Sequence, residues 1–288
     1  MNENNLEYLK KSLDGLGFGT KLNDVLETAI GRELPKFTLG ISSMRRPLDA
    51  KDVNAQRTDH LSFWLHFNRS KDSDMYFLNG YEVTLRQQGN DIPRSQRFDL
   101  TRDHRITALQ AHKLLSGLSF EKDVYLRSRD ADPNAQSEKI PMWFRLNLDI
   151  TDAYGNHPLR TFRPEYGFDL AETFGRYPIK GLDTPEKMQE ALTSLRNGNY
   201  VHTELNIGKK AVPVSIAANP QIKTLEVFDK NGMEIREETI FPEKAKAREA
   251  EKQQAIVAEK ADRKTGQQAE ALPWQQEPEV GTGRGRGR

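Results

Sequence analysis

Cysteine is absent from the 288 residues, which excludes disulfides, thiol nucleophiles and thiolate-based zinc sites. No stretch approaches the roughly 18 to 20 uninterrupted apolar residues a helix needs to cross a bilayer, so no membrane-spanning helix is expected. The start, Met1-Asn-Glu-Asn-Asn-Leu, lacks the basic opening and apolar run of a secretory signal, and a cytoplasmic location is expected. An excess of one charge is missing too: 43 Lys and Arg stand against 42 Asp and Glu, a formal net charge of +1. No long-range field therefore draws the whole molecule to nucleic acid or an anionic membrane, and any such contact must come from a local patch.

What is present is a polar globular composition, 36% hydrophobic and 30% charged, as a folded body carrying a solvated appendage would have. The chain opens with two apolar stripes at helical spacing. Leu6, Leu9 and Leu13 form the first, closed by Gly15; Leu22, Val25, Leu26, Ala29 and Ile30 form the second, closed by Gly31, with Thr20 as its expected N-cap. Residues 1–35 are thus expected to form a helical hairpin. Gly, Ser, Pro, Asp and paired arginines over 36–57 predict a connecting loop and a module boundary.

Beyond it, Leu61, Phe63, Leu65 and Phe67 alternate with Ser62, Trp64, His66 and Asn68, the period of a strand with one buried face. Phe77, Tyr81, Val83 and Leu85 form a less regular second run, and Phe98 marks a third. A helix over 107–116, with Leu109 and Leu114 inward, ends at Gly117, and a strand is expected over 124–126. The clearest alternation sets Met142, Phe144, Leu146, Leu148 and Ile150 against Trp143, Arg145, Asn147 and Asp149. A short strand over 159–162 and a helix over 169–174 follow. Thr184 and Pro185 open another helix, with Met188, Leu192 and Leu195 inward and Gly198 as its stop; Pro suits the first helical position because its missing amide hydrogen has no partner there. An antiparallel meander over 201–207, 212–216 and 222–228 leads through Asn231-Gly232 to a run near Ile235.

The expected fold class is α+β: the helical hairpin, a body over 58–241 of mostly antiparallel sheet with short helices, and a charged tail over 242–288, partly helical or disordered. The strands at 61–67 and 142–150 each carry a Trp on the outward register and each precede a second strand and a short helix. A duplicated unit relating about 58–130 to 140–241 is therefore an open expectation, which strand order decides.

The chemistry-bearing patterns are few. Gly15, Gly17 and Gly19 resemble a phosphate loop, but a helix enters them where that motif needs a strand, so a helix-to-helix turn is expected. Asp130, Asp132 and Asn134 have the opening spacing of a calcium loop, yet Ala135 and Pro141 stand where it requires Gly and Glu. Asp72 with Asp74, and Asp149 with Asp152, read as turn residues before magnesium ligands. His60, His66, His104, His112, His157 and His202 show no metal-ligand spacing and no nucleophile motif. No catalytic residue, metal or cofactor is expected. The candidate binding residues are aromatic and basic: Trp64, Tyr76, Trp143 and Phe144 beside Arg57, Arg69 and Arg145 would offer stacking platforms for unpaired bases, with core packing as the competing reading. Arg284, Arg286 and Arg288 form an Arg-Gly end suited to weak phosphate contacts.

Several ordered blocks are distinctive: Asn5-Leu-Glu-Tyr-Leu-Lys and Leu16-Gly-Phe-Gly; Asp74-Met-Tyr-Phe-Leu-Asn-Gly-Tyr; Ile106-Thr with Lys113-Leu-Leu-Ser-Gly; Tyr166-Gly-Phe-Asp-Leu; Arg176-Tyr-Pro-Ile-Lys; Leu195-Arg-Asn-Gly-Asn; and Ala218-Asn-Pro-Gln-Ile-Lys-Thr-Leu-Glu-Val-Phe-Asp. Together they resemble a family of proteins of unknown function encoded on conjugative and integrative mobile elements of bacteria. The resemblance ends near Asp229. It implies an accessory protein with neighbours in DNA transfer, replication or host defence, and brings no catalytic residues. The expected function is non-catalytic binding of a DNA-processing protein partner or of nucleic acid, through a sheet surface and the flexible tail. The alternatives are an enzyme or enzyme inhibitor whose site assembles from sequence-distant polar residues, and self-association into a homo-oligomer through the helical hairpin.

Overall fold

The computed structural model describes residues 2–49, 57–90, 92–126, 137–208 and 210–243. The chain divides into two units, Met1–Arg236 and Glu237–Arg288. In the second, a short helix at Glu237–Ile240 is described, and the expectations for the tail beyond residue 243, Arg284, Arg286 and Arg288 included, lie outside the described residues.

Two helices open the first unit, α1 (Glu3–Gly15) and α2 (Asn23–Gly31), as the apolar stripes predict. Asn2 caps α1 by accepting the amide hydrogen of Asn5. The cap of α2 is Leu22 and not Thr20, and no side chain fills that role. Residues 36–45, expected to be loop, form β1 (Lys36–Arg45), which pairs antiparallel with β2 (Asp59–Arg69) along its whole length. Gly40 and the serines hide the alternation of Phe37, Leu39 and Ile41, whose β character shows only once β2 lies alongside to share the ladder. β3 (Tyr76–Gln87) and β4 (Arg94–Asp99) complete a four-stranded sheet of order β1-β2-β3-β4.

Then come α3 (Ala108–Leu115), β5 (Phe120–Leu126), β6 (Glu138–Leu146) and β7 (Leu159–Phe162), the strands forming a second sheet of order β5-β6-β7. A capping box closes the start of α3, with the Thr107 hydroxyl accepting from the Gln110 amide and the Gln110 side chain from the Thr107 amide. After α4 (Leu170–Gly175), β8 (Ile179–Lys180) and α5 (Pro185–Arg196), the meander β9 (Val201–Ile207), β10 (Lys210–Asn219) and β11 (Thr224–Phe228) builds a third sheet of order β11-β10-β9-β8. The expected run near Ile235 is reduced to one bridge between Phe228 and Glu234. All strand pairs are antiparallel, so the fold is α+β.

Among the described residues the two supposed halves do not share a strand order. β5, inside the supposed first half, pairs with β6 of the second, and β4 joins β3 whereas the strand after α4 joins β9. Nor is the helical hairpin a separate module. Leu6, Leu9, Leu13, Leu26 and Ile30 share one core with Leu61, Phe63, Leu65, Tyr81 and Phe98 of the first sheet and Phe120 and Phe144 of the second. The apolar stripe assigned to self-association is therefore consumed inside the chain. Each such side chain contributes about 1.5–3 kcal/mol on burial. Val25, Leu109 and Met188, expected inward, are exposed. In α3 the buried set is Ala108, Ala111, His112, Lys113, Leu114 and Leu115, which turns Leu109 away; in α5 it is Ala191, Leu192 and Leu195, one turn beyond Met188.

A tight backbone approach fixes α5 against the second sheet. Gly198 follows α5 at φ +71°, and a Cβ there would sit 2.7 Å from the Ser119 carbonyl oxygen. Gly155 has a similar φ of +82° with open space around it. Gly198→Ala is expected to lose about 3 kcal/mol or more in urea unfolding, because positive φ and a backbone clash add, while Gly155→Ala loses about 1 kcal/mol from conformation alone.

Candidate nucleic-acid interface

The first sheet buries one face only. Odd-numbered residues 61–67 of β2 and 81–85 of β3 point into the core and the even-numbered ones between them face outward, whereas at the start of β3 the order is reversed, with Tyr76 inward and Phe77 outward. Register places these outward residues in rows across the strands: Met44, His60, Arg86; then Ser42, Ser62, Thr84, Ser95; then Gly40, Trp64, Glu82, Arg97. Standard strand spacings make this face about 14 Å by 20 Å. Trp64 lies at its middle, 52% exposed, with its ring over Gly40. Phe77, 46% exposed, pairs opposite Asn68 toward one end, past the register shift at His66 and Phe67.

The polar groups between are arranged by cross-strand contacts. Thr84 and Ser95 hydroxyls are 2.9 Å apart, and the Ser42 hydroxyl donates to Ser62 at 3.4 Å. The Thr38 hydroxyl is 3.2 Å from His66 Nδ1, and His66 Nε2 is 3.4 Å from Glu82 Oε1. Arg97 Nη1 lies 3.7 Å from the same carboxylate oxygen. Glu82 is thus flanked by two basic groups, while Arg86 and Arg97 stay exposed. Apolar rings, hydroxyls and a small excess of cations alternate on one exposed sheet face.

Only one of the predicted platform residues belongs here. Tyr76 is 2% exposed, donates its hydroxyl hydrogen to the Leu34 carbonyl at 3.0 Å and packs against Phe37. Its neighbour in sequence, Phe77, takes the outward place, because the β3 irregularity shifts the register there. Trp143 is 5% exposed on β6, edge-on to Phe168. Met142, Trp143 and Phe144 are all buried, so β6 is covered on both faces, which the alternating pattern did not predict. Arg145 makes a fork to Glu226, at 2.6 Å and 3.4 Å, and also donates to Ser119, so it is a structural cation between sheets. Arg57 pairs with Asp49 at 2.8 Å and Arg69 with Glu33 at 3.4 Å. Gly40, Ser42 and Met44 of the outer face are not legible in the sequence, because glycine and serine mask the alternation of β1, and the places of Arg86 and Arg97 depend on the strand register.

Among the described residues no three His, Asp or Glu side chains converge as a metal site would need. Asp74 accepts from the Asn2 side chain, and Asp152 accepts the amides of Tyr154 and Asn156, which holds its carboxyl below the usual range. The Asp130 loop lies outside the described residues. No helix among the described residues is long and apolar enough to cross a membrane. No protein-family model, no curated protein and no solved structure matches this chain.

The seat of Trp64 is testable by itself. A Cβ on Gly40 would fall 2.9 Å from Trp64 Cζ3, and the ring is the part free to yield. Gly40→Ala is expected to leave stability within about 1 kcal/mol and to raise the acrylamide quenching of Trp64 emission, measured with Trp143 and Trp274 replaced by Phe.

Proposed function

We propose that this protein acts by binding, as an accessory protein of a bacterial mobile element, and that the outer face of β1–β4 takes single-stranded nucleic acid. The observation that carries this reading is Trp64, exposed at the centre of the sheet's outer face with Phe77 toward one end, Arg86 in the His60 row toward the other, and Arg97 in its own row two strands away. A large aromatic ring in water is a standing cost unless a partner covers it, and bases stack on such rings without sequence preference. The size of the face suits two or three nucleotides, the number that sheet-based single-strand binders accommodate. The resemblance to mobile-element proteins supplies the context in which single strands are exposed. Trp64 and the two arginines would stack and neutralise; the arginines at 284, 286 and 288 would add nonspecific phosphate contacts. A DNA-processing protein docking on the same face is the competing occupant.

Fluorescence anisotropy with labelled single- and double-stranded oligonucleotides tests this on the full chain. Single strands are expected to bind better, and Trp64→Ala to weaken them by about 1–3 kcal/mol. Arg86→Ala with Arg97→Ala is expected to reduce the slope of log affinity against log salt by about 1.4, and replacing the three tail arginines by about 2, at about 0.7 per phosphate contact. Absence of binding even at low salt, with retention of a host protein that Trp64→Ala releases, would assign the face to a protein instead.

A further inference from the structure

A second concavity lies away from the sheet face, where the ends of β1–β4 meet the third sheet. It encloses about 640 Å³, within the range of small-ligand sites. Asp59 lines it although only 1% exposed, with Oδ2 2.7 Å from Nε2 of His112, itself 1% exposed. Among the described residues Nδ1 of His112 is buried without a hydrogen-bond partner, and so is the hydroxyl of Ser116, one helical turn on, which lines the cleft as Asp59 does. A buried acid–imidazole pair is costlier to desolvate than apolar residues in the same place. The Ser116 hydroxyl in the lining is a buried polar group whose missing partner a ligand would supply.

The walls add two further kinds of chemistry. Tyr200 and Phe228 line one side, their rings edge to face at 5.8 Å. Burial, with Asp49 and Glu226 nearby, pushes the Tyr200 phenol up to about 12, so it remains a donor at neutral pH. Arg57 and Lys230 stand exposed in the lining. Among the described residues Arg57 donates to Asp49 alone, so other N–H groups of its guanidinium have no partner there. Lys230 has no ion-pair partner among the described residues, since the adjacent Asp229 accepts the amides of Asn231 and Met233. A carboxylate in the depth, ring surfaces at the side and exposed cations call for a ligand with N–H donors, a flat ring and an anion. A simple anion would confront Asp59, and a simple cation would confront Arg57 and Lys230.

We propose that this cleft binds a nucleoside monophosphate group, its base against Tyr200 and Phe228 with an amine directed to Asp59, and its phosphate at Arg57 and Lys230. The group is either a free nucleotide or the phosphorylated end of a strand. The site is separate from the Trp64 face and stands or falls independently of it.

Calorimetric titration of the full chain with each common nucleoside monophosphate, the matching nucleosides and inorganic phosphate tests the assignment. At least one monophosphate is expected to bind saturably at one site, with its nucleoside about tenfold weaker, the contribution of a charge-assisted contact. Lys230→Gln and Arg57→Gln are expected to remove that difference; both positions are exposed, so the fold survives the change. Asp59→Asn tests the base contact, with its circular dichroism checked because the His112 pair is buried. Trp64→Ala is expected to leave the titration unchanged. Displacement of the monophosphate by a terminally phosphorylated oligonucleotide, and not by its hydroxyl-ended counterpart, would identify a strand end as the source. No heat or thermal shift with any monophosphate would overturn the proposal. So would equal affinity for inorganic phosphate, or indifference to both cation substitutions.

Discussion

Burial of one face of β1–β4, and of that face alone, sets the rest of the structure. Phe63 and Tyr81 on that face meet Phe18 edge-on, with ring centroids 5.2 Å and 5.4 Å away. Phe18 lies in the turn between α1 and α2, so the same contact brings both helices onto the sheet. Tyr81 then donates its hydroxyl hydrogen to the Ile106 carbonyl at 2.8 Å, and the Ala108 amide donates to Leu16. Those bonds place the start of α3. Burial raises the Tyr81 phenol well above its ordinary value, so it stays a neutral donor and the bond persists at any physiological pH.

From α3 the arrangement passes to the other sheets through polar contacts. Lys113, 7% exposed, gives a 2.6 Å bond to the Asn197 carbonyl at the end of α5, and burial lowers its pKa. Arg145 of β6 holds Glu226 of β11, which also accepts from Asn219. These are charged groups with partners at both ends, the condition under which burial of a cation is tolerated. The first two sheets share one apolar core, and α5 and the third sheet are tied to them by a few directional bonds and one close backbone approach at Gly198.

Covering only the inner face leaves the outer one to solvent, and the joints between sheets leave a cleft at their ends. The two candidate sites follow from those two facts. The outer face is shallow, aromatic at its middle and rich in hydroxyls, suited to a flexible polymer that lies across it. The cleft is deeper and holds ionisable groups at its floor, suited to a small group that enters. Both readings draw on nucleotide chemistry, yet they use no residue in common.

Much of the architecture was legible in the chain because local rules govern it. Apolar residues three and four apart gave α1 and α2, Thr107 and Thr184 marked helix starts, Gly117 and Gly198 took the positive φ that ends helices, and period-two alternation gave β2. The candidate site was half legible: Trp64 stands outward as its register required, while Tyr76, Trp143 and Arg145 were taken into the core or into an ion pair. Which face of a strand finds a cover depends on what packs against it, and a period of two reads the same whether the second face meets water or another layer. Register, the strand hidden in 36–45, and the meeting of Asp59 with His112 across 53 positions are products of long-range pairing. Sequence determined the local elements, since their hydrogen bonds close within a few residues; tertiary structure alone decided exposure, partners and site, since those are set by neighbours distant along the chain.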